Sequence, residues 1–190
     1  MEPKKIPTEL TLNAELRGHA MQFTTTWGLF SPKEIDPGTE VLLRCIELPK
    51  NASVLDLGCG YGPIGLTLGK DAKEVLLVDK DFIAVEYSQK NAGLNKLSNC
   101  KALLSNGFSH VPTDARFDVI VSNLPAKVGK ELLQIFLDDA KKHLNPGGKL
   151  YVVTIAGLRE FIKRHFKETF GNYEKVTQSK GYSVGLAVKQ

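Results

Sequence analysis

Five short apolar runs punctuate the chain after residue 53: Val54-Leu-Asp-Leu57, Val75-Leu-Leu-Val78, Ala102-Leu-Leu104, Val119-Ile-Val121 and Leu150-Tyr-Val-Val153. Between and after them lie four stretches of helical, amphipathic spacing at 63–70, 82–94, 129–144 and 158–169, the last preceded by the turn Asn145-Pro-Gly-Gly148. A strand covered on both faces is apolar throughout, and parallel neighbours need a crossover connection, so this order predicts an α/β fold with a largely parallel sheet and helices on both faces. The tail breaks the pattern. Tyr173–Thr177 and Tyr182–Val188 read as two strands joined by a Lys180-Gly181 link, which makes seven strands and places one antiparallel strand in the sheet.

Ahead of this core, alternation in Leu10–Leu16, a Gly18-His19 break and a second alternating run, Met21–Thr25, predict an N-terminal β-hairpin near the mouth of any site. Gly28–Ser31 then forms an irregular link. Asp36 followed by Pro37 opens a helix, with Val41, Leu42, Cys45 and Ile46 as its apolar stripe. At 190 residues and 42% hydrophobic, the chain fits a single domain: 1–35 as hairpin and link, 36–190 as the core that would bind a cofactor.

No apolar stretch approaches the roughly 20 residues of a membrane-spanning helix, and the N-terminus lacks the apolar middle of a signal peptide, so a cytoplasmic protein is expected. Cys45, Cys59 and Cys100 are odd in number and far apart, without metal-binding or redox spacing, which predicts reduced, apolar fillers and no metal site. A formal charge of +4 permits contact with nucleic acid. From Arg159 onward, seven Lys or Arg stand against three Glu, and that segment is either a solvated helix face or a phosphate-facing stripe.

Chemistry concentrates in VLDLGCGYGPIG, residues 54–65: a strand, a glycine-rich turn and a helix start, the arrangement that brings bare backbone to a ligand at the carboxyl edge of a sheet. Gly60–Gly65 fits the dinucleotide spacing G-x-G-x-x-G, and Asp79 lies near the offset of a ribose-binding acid. Asp56, two places before the alternate glycines Gly58, Gly60 and Gly62, fits a different ligand. An acid there repels a pyrophosphate and suits a cation.

Asp56-Leu-Gly-Cys-Gly-Tyr-Gly62 resembles the opening motif of class I S-adenosylmethionine-dependent methyltransferases, whose cofactor is a sulfonium with an amino acid tail. The resemblance implies cofactor contacts at Asp56, Gly58, Cys59, Gly60 and Gly62. It also implies contacts at Asp79 for the ribose hydroxyls with Lys80 beside it, and at Ser105, Asn106 and Gly107 around the adenine. Asn106 stands where the family usually has an acid, and its amide oxygen can accept from the adenine amine. Two choices stay open here: Asp79 as helix cap, for which Asp81 is better placed, and Phe108 as adenine wall or core.

SNLPAK, residues 122–127, sits after the fourth strand of the core, where amino-group methyltransferases of this fold carry Asn/Asp-Pro-Pro-aromatic. With Phe30-Ser31, Asp36–Thr39, Gly129–Glu131, Phe170-Gly171 and Gly181-Tyr182, it is similar to the small-subunit rRNA guanine-N2 methyltransferase family, especially short, archaeal-type single-domain members, over roughly residues 15 to 188. The resemblance implies that the Asn123 oxygen and a backbone carbonyl, aimed by Pro125, accept both hydrogens of a target amine, with RNA as partner. Leu124 replaces the first proline and Ala126 the aromatic, so a stacked base would need Trp27 or Phe30. Substrate contacts are then expected at Trp27, Phe30, Leu124 and Lys127, with Lys130 and the basic tail meeting phosphates. Alternative readings are a methyltransferase for a small molecule or protein amide, and a cofactor-binding module without chemistry.

Overall fold

The computed structural model describes residues 9–124, 129–179 and 181–190. Elements run β1 Glu9–Leu16, β2 His19–Thr26, α1 Pro37–Cys45, β3 Ser53–Leu57, α2 Pro63–Leu68, β4 Glu74–Asp79, α3 Phe82–Leu94, β5 Cys100–Leu104, β6 Phe117–Asn123, α4 Lys130–His143, β7 Leu144–Ile155, α5 Arg159–Phe170, β8 Glu174–Gln178 and β9 Tyr182–Val188, with one 3-10 turn at Ala156–Leu158. Seven strands form one sheet in the order β5-β4-β3-β6-β7-β9-β8. Pairing is parallel from β5 to β7, and β9 alone runs against its neighbours, as the tail hairpin predicts.

Strand residues of opposite parity go to two cores. Val54, Leu77, Val119, Val121, Tyr151 and Val153 join the helices α1, α2 and α3, whereas Leu55, Val78, Ile120, Leu150 and Val152 join α4 and α5. Unbroken apolar strands are the direct consequence of burying both faces. The strand order reverses between β3 and β6, where a doubly wound sheet opens a crevice at its carboxyl edge.

Two differences from expectation have local causes. β7 begins at Leu144, six residues before the apolar run, because Gly147 N donates to Lys189 O and Lys189 N to Gly148 O, drawing the Asn-Pro-Gly-Gly turn into the sheet. The hairpin does not itself line the crevice. Its two strands form a separate sheet on α3, and the link behind β2 is what reaches the cavity. At the hairpin tip Arg17 and Gly18 both have positive φ (52° and 76°), the geometry of a two-residue turn, and Arg17 Nη1 donates to Leu43 O and Ile46 O, closing the end of α1. Among the described residues no helix is long and apolar enough to cross a membrane.

Candidate functional site

A cavity of about 440 Å³ lies over the carboxyl ends of β3, β4 and β6, walled by the link at 28–31, the start of α1, the glycine turn, the loop after β5 and α4. Its floor is the glycine turn. Gly58 (φ 75°) and Gly60 (φ 56°) adopt left-handed conformations, and a Cβ on either would meet nothing within 4 Å. Only glycine gives that backbone without strain while leaving the space above it to a ligand.

Four of the turn's N–H groups are already committed. Gly58 N and Cys59 N donate to Val78 O at 2.8 and 3.0 Å, Gly60 N to Asp79 Oδ2 at 2.9 Å, and Gly62 N to Cys59 O at 2.9 Å. At the start of α2, Pro63 has no N–H and Gly65 N donates to Asp56 Oδ2 at 2.7 Å. A carboxylate thus occupies the helix N-terminus that would receive a pyrophosphate, which argues against a dinucleotide. Three acids, Asp36, Asp79 and Asp81, and one cation, Lys80, line the cavity among the described residues, a balance suited to a positively charged ligand.

Most of the residues singled out from the sequence have a definite place. Asp56 is fully buried beneath the turn, outside the cavity lining; burial pushes its carboxyl up to about 7 against the opposing bond from Gly65, and Oδ1 has no partner among the described residues. Gly62 also faces inward, since a Cβ there would lie 2.7 Å from Leu66 Cδ1. Cys59 lines the cavity but is buried, its thiol raised well above the ordinary range mainly by desolvation. Asp79 stands at the rim, accepting from Gly60 N and, through Oδ1, from Asp81 N at 3.0 Å, while Asp81 caps α3 through Ile83 N. A carboxylate has about four lone-pair sites, so Asp79 keeps capacity for hydroxyl donors. Lys80 is exposed on the lining.

After β5, Ser105 holds its loop: its hydroxyl donates to Gly107 O at 2.8 Å and accepts from His110 N at 3.0 Å. Asn106 is exposed on the cavity wall with its side-chain amide unpaired among the described residues. Gly107 (φ 60°) is pressed by a ring that sequence reasoning missed: a Cβ there would lie 2.5 Å from Phe136 Cε1. Phe136 lies on α4 and lines the cavity. Phe108 is core, buried and stacked on His143 with centroids 5.0 Å apart.

At the end of β6, Asn123 Nδ2 donates to Asp36 Oδ2 at 2.9 Å and approaches Thr39 Oγ1 at 3.3 Å; no described residue donates to its Oδ1. Leu124 is buried against the core of α4 and borders the cavity. Pro125, Ala126 and Lys127 lie outside the described residues, as does the side chain of Lys130. Of the two aromatic candidates, Phe30 is 65% exposed on the cavity lining, whereas Trp27 does not line it and lies under Lys33 Nζ at 4.9 Å. In the basic tail, Arg159 and Lys163 pair with Glu160, and Arg164 with Glu168.

A family described as the methyltransferase small domain matches residues 20–185. The Bacillus subtilis (strain 168) protein YbxB, itself uncharacterized, is 34% identical over 99% of this chain and 96% of its own length. The ribosomal RNA small subunit methyltransferase C of Hamiltonella defensa is 33% identical over 86% of this chain and 49% of its own. Among solved structures, the T. thermophilus 16S rRNA N2 methyltransferase RsmC, in complex with AdoMet and guanosine, superposes with a TM-score of 0.89 at 30% identity, covering 99% of this chain and 52% of that one. A TehB-like methyltransferase from Corynebacterium glutamicum, at 20% identity and a TM-score of 0.64 over 83% of this chain and 90% of its own, shares the fold. This chain therefore spans about half the length of the named rRNA methyltransferases and nearly all of the Bacillus protein.

Proposed function

The chain belongs to the methyltransferase small domain family, and from that premise we propose that it is an S-adenosylmethionine-dependent methyltransferase whose acceptor is an exocyclic amine, guanine N2 of ribosomal RNA. The residues present fit the cofactor. Open left-handed glycines at 58 and 60 leave it space, the acids of the lining match its positive charge, and the N–H groups of 58, 59, 60 and 62 are already paired within the protein. Asp79 would hold the ribose and Asn106, with Phe136 and Gly107 beside it, the adenine; Asp56 and Gly62 would act from beneath by shaping the turn. When bound, S-adenosylmethionine supplies the electrophilic methyl group.

The observation that carries the amine reading is the state of Asn123. Its amide nitrogen is engaged by Asp36, so the oxygen is the atom left to a ligand at the cavity. An oxygen that accepts a hydrogen bond from a planar amine orients the nitrogen lone pair out of the plane, and orientation with electrostatic complementarity contributes to such a transfer without a general base. Phe30, exposed on the rim, offers an apolar face to a base. Residues 36–190 would form the catalytic core, with 1–35 as a hairpin and link appended to it. The names borne by the half-matched relatives support the RNA acceptor.

The test is methyl transfer from labelled cofactor to ribosomal RNA, followed by nucleoside digestion. N2-methylguanosine is expected, and Asn123→Ala should lower turnover by about 100-fold or more, the scale of losing one oriented acceptor. Label on a ring nitrogen, a ribose, a protein or a metabolite fraction, or full turnover by Asn123→Ala, would overturn this reading.

A further inference from the structure

Asp36 takes no part in any chemistry that the family motif assigns, yet three groups converge on its buried carboxylate. Oδ2 accepts from Thr39 N at 3.1 Å and from Asn123 Nδ2 at 2.9 Å, and Oδ1 accepts from Tyr182 OH at 3.1 Å. The first of these bonds caps α1, a role that Asp, Asn, Ser or Thr performs about equally well. Capping accounts for one bond and leaves two unexplained. The other two come from the carboxyl end of β6 and the first residue of β9, 87 and 146 residues away in the chain.

A side-chain amide has two faces of nearly equal shape, and its neighbours decide which atom points where. Thr39 Oγ1, the other group near Asn123, is a hydroxyl that can donate or accept and so imposes nothing. An ionised carboxylate is different, because it accepts only. With Asp36 beside it, Asn123 must turn its NH₂ inward and its oxygen toward the cavity. Tyr182 holds the carboxylate in turn. Its ring lies against Gly38, where a Cβ would come within 2.7 Å of Tyr182 Cε1, and its hydroxyl is kept protonated by burial and by the charge of Asp36 itself.

We propose that Asp36, braced by Tyr182, is a positioning residue that locks the Asn123 amide with its oxygen toward the acceptor amine, and so sets the site's preference for an amino group over a group that needs a donor. The inference rests on the amine reading of the same site. Its substrate-level consequence is direct. With the amide reversed, Asn123 would present two N–H donors to an –NH₂, which has no acceptor to offer in its conjugated form, and the lone pair would not be turned outward.

The informative variant is Asp36→Ser, which keeps a cap for Thr39 N but has no reach to Asn123 or Tyr182, compared with Asp36→Asn, whose oxygen can still accept at the Oδ2 position. Asp36→Ser should lower kcat by about 10- to 100-fold, the range of one charge-assisted hydrogen bond, with the KM for RNA little changed. Asp36→Asn should recover much of the loss. Independently of activity, the side-chain ¹⁵N amide resonances of Asn123, assigned by comparison with Asn123→Ala, should be slow to exchange in the wild type and move and exchange faster in Asp36→Ser. If that variant fails to fold, Tyr182→Phe leaves the cap intact and should shift the same resonances in the same direction by less. Amide resonances unmoved by Asp36→Ser, or by Tyr182→Phe where that stands in, overturn the proposal, as does Asp36→Asn impaired as deeply as Asp36→Ser. Resonances that move while turnover stays whole leave the lock standing and sink the amine chemistry instead.

Discussion

Asp56 carries a burial cost that its single bond to Gly65 N does not cancel, and Asp79 nearby adds repulsion, so its carboxyl is held up at about 7. A carboxyl with a native pKa above its unfolded value of about 3.9 binds its proton more tightly when folded. The sign follows: the stabilisation is fully present below about pH 4 and is lost as pH rises through about 7, with a slope of at most about 1.4 kcal/mol per pH unit for one group. Urea unfolding at pH 5 and pH 8.5 should show wild-type stability falling, and Asp56→Asn should flatten that fall while its oxygen still accepts from Gly65. Parallel profiles would mean that Asp56 is ionised throughout. Gly60→Ala should behave differently. A left-handed alanine costs about 1–2 kcal/mol, and the added methyl enters ligand space, so cofactor affinity measured by calorimetry should fall further than stability does. The glycines were legible because both their spacing and their purpose are local. Asp56 was legible as an acid at the turn but not in its direction from the motif, although strand parity carries it. Leu55 and Leu57 face α4 and α5, which sends Asp56 to the opposite side, under α2.

At the scale of elements, the hairpin is fastened by two buried asparagines four residues apart, Asn91 on α3 and Asn95 at its C-terminal cap. Asn91 accepts from Thr24 N at 2.7 Å and donates to Thr24 O and Tyr61 O, both at 2.9 Å; Asn95 accepts from Gln22 N at 3.0 Å and donates to Gln22 O at 2.6 Å. Their amides imitate a neighbouring strand, pairing the edge of β2 that would otherwise stay open. Asn91 also ties that edge to the carbonyl of Tyr61, inside the glycine turn. Asn91→Ala would leave three main-chain groups without partners and should cost about 2–4 kcal/mol by chemical denaturation. A loss under about 0.5 kcal/mol would show that water replaces the amide. Because the same side chain reaches the turn, a second consequence is a loss of cofactor affinity in Asn91→Ala that Asn95→Ala does not share. Helix α3 itself spans 82–94 as its periodicity predicts, and the tail hairpin with its one antiparallel strand was equally readable, since apolar period and turn residues specify them. The latch was not readable. Its partners are backbone groups some 70 residues away, and nothing in the sequence distinguishes an asparagine that will find a strand edge from one that faces water. Phe136 escaped for a related reason: a ring on the flank of an apolar stripe reads as core whether it meets a strand or a cavity.

Over the whole molecule, charge gives the clearest division between what faces a partner and what serves the fold. The sequence offered its basic tail as a solvated helix face or a phosphate-facing stripe, and three of α5's cations are engaged locally: Arg159 with the adjacent Glu160 and with Gln178, Lys163 with Glu160 and Arg164 with Glu168. The i,i+3 and i,i+4 pairs among them offset part of the helix's charge locally and weaken the field beyond it. Near the mouth the situation is reversed. Lys80 borders the cavity with no ion pair among the described residues, and Lys33 lies over Trp27, a few residues from the exposed Phe30 on the rim. If RNA is the acceptor, the phosphates flanking the target base meet this rim, and each contact releases condensed counterions on binding. The logarithm of affinity should then fall linearly with the logarithm of salt concentration. Lys80→Ala and Lys33→Ala should each reduce that slope by about 0.7 to 0.9, the value for one phosphate contact on a single or double strand. Neutralising Lys163 and Lys167 together should leave the slope within error of wild type, because α5 contributes no counterion release at the mouth. A slope that drops with the α5 variant and not with the rim variants would relocate the RNA to the far face. A slope near zero for the unmodified protein would instead assign the site to an uncharged small acceptor.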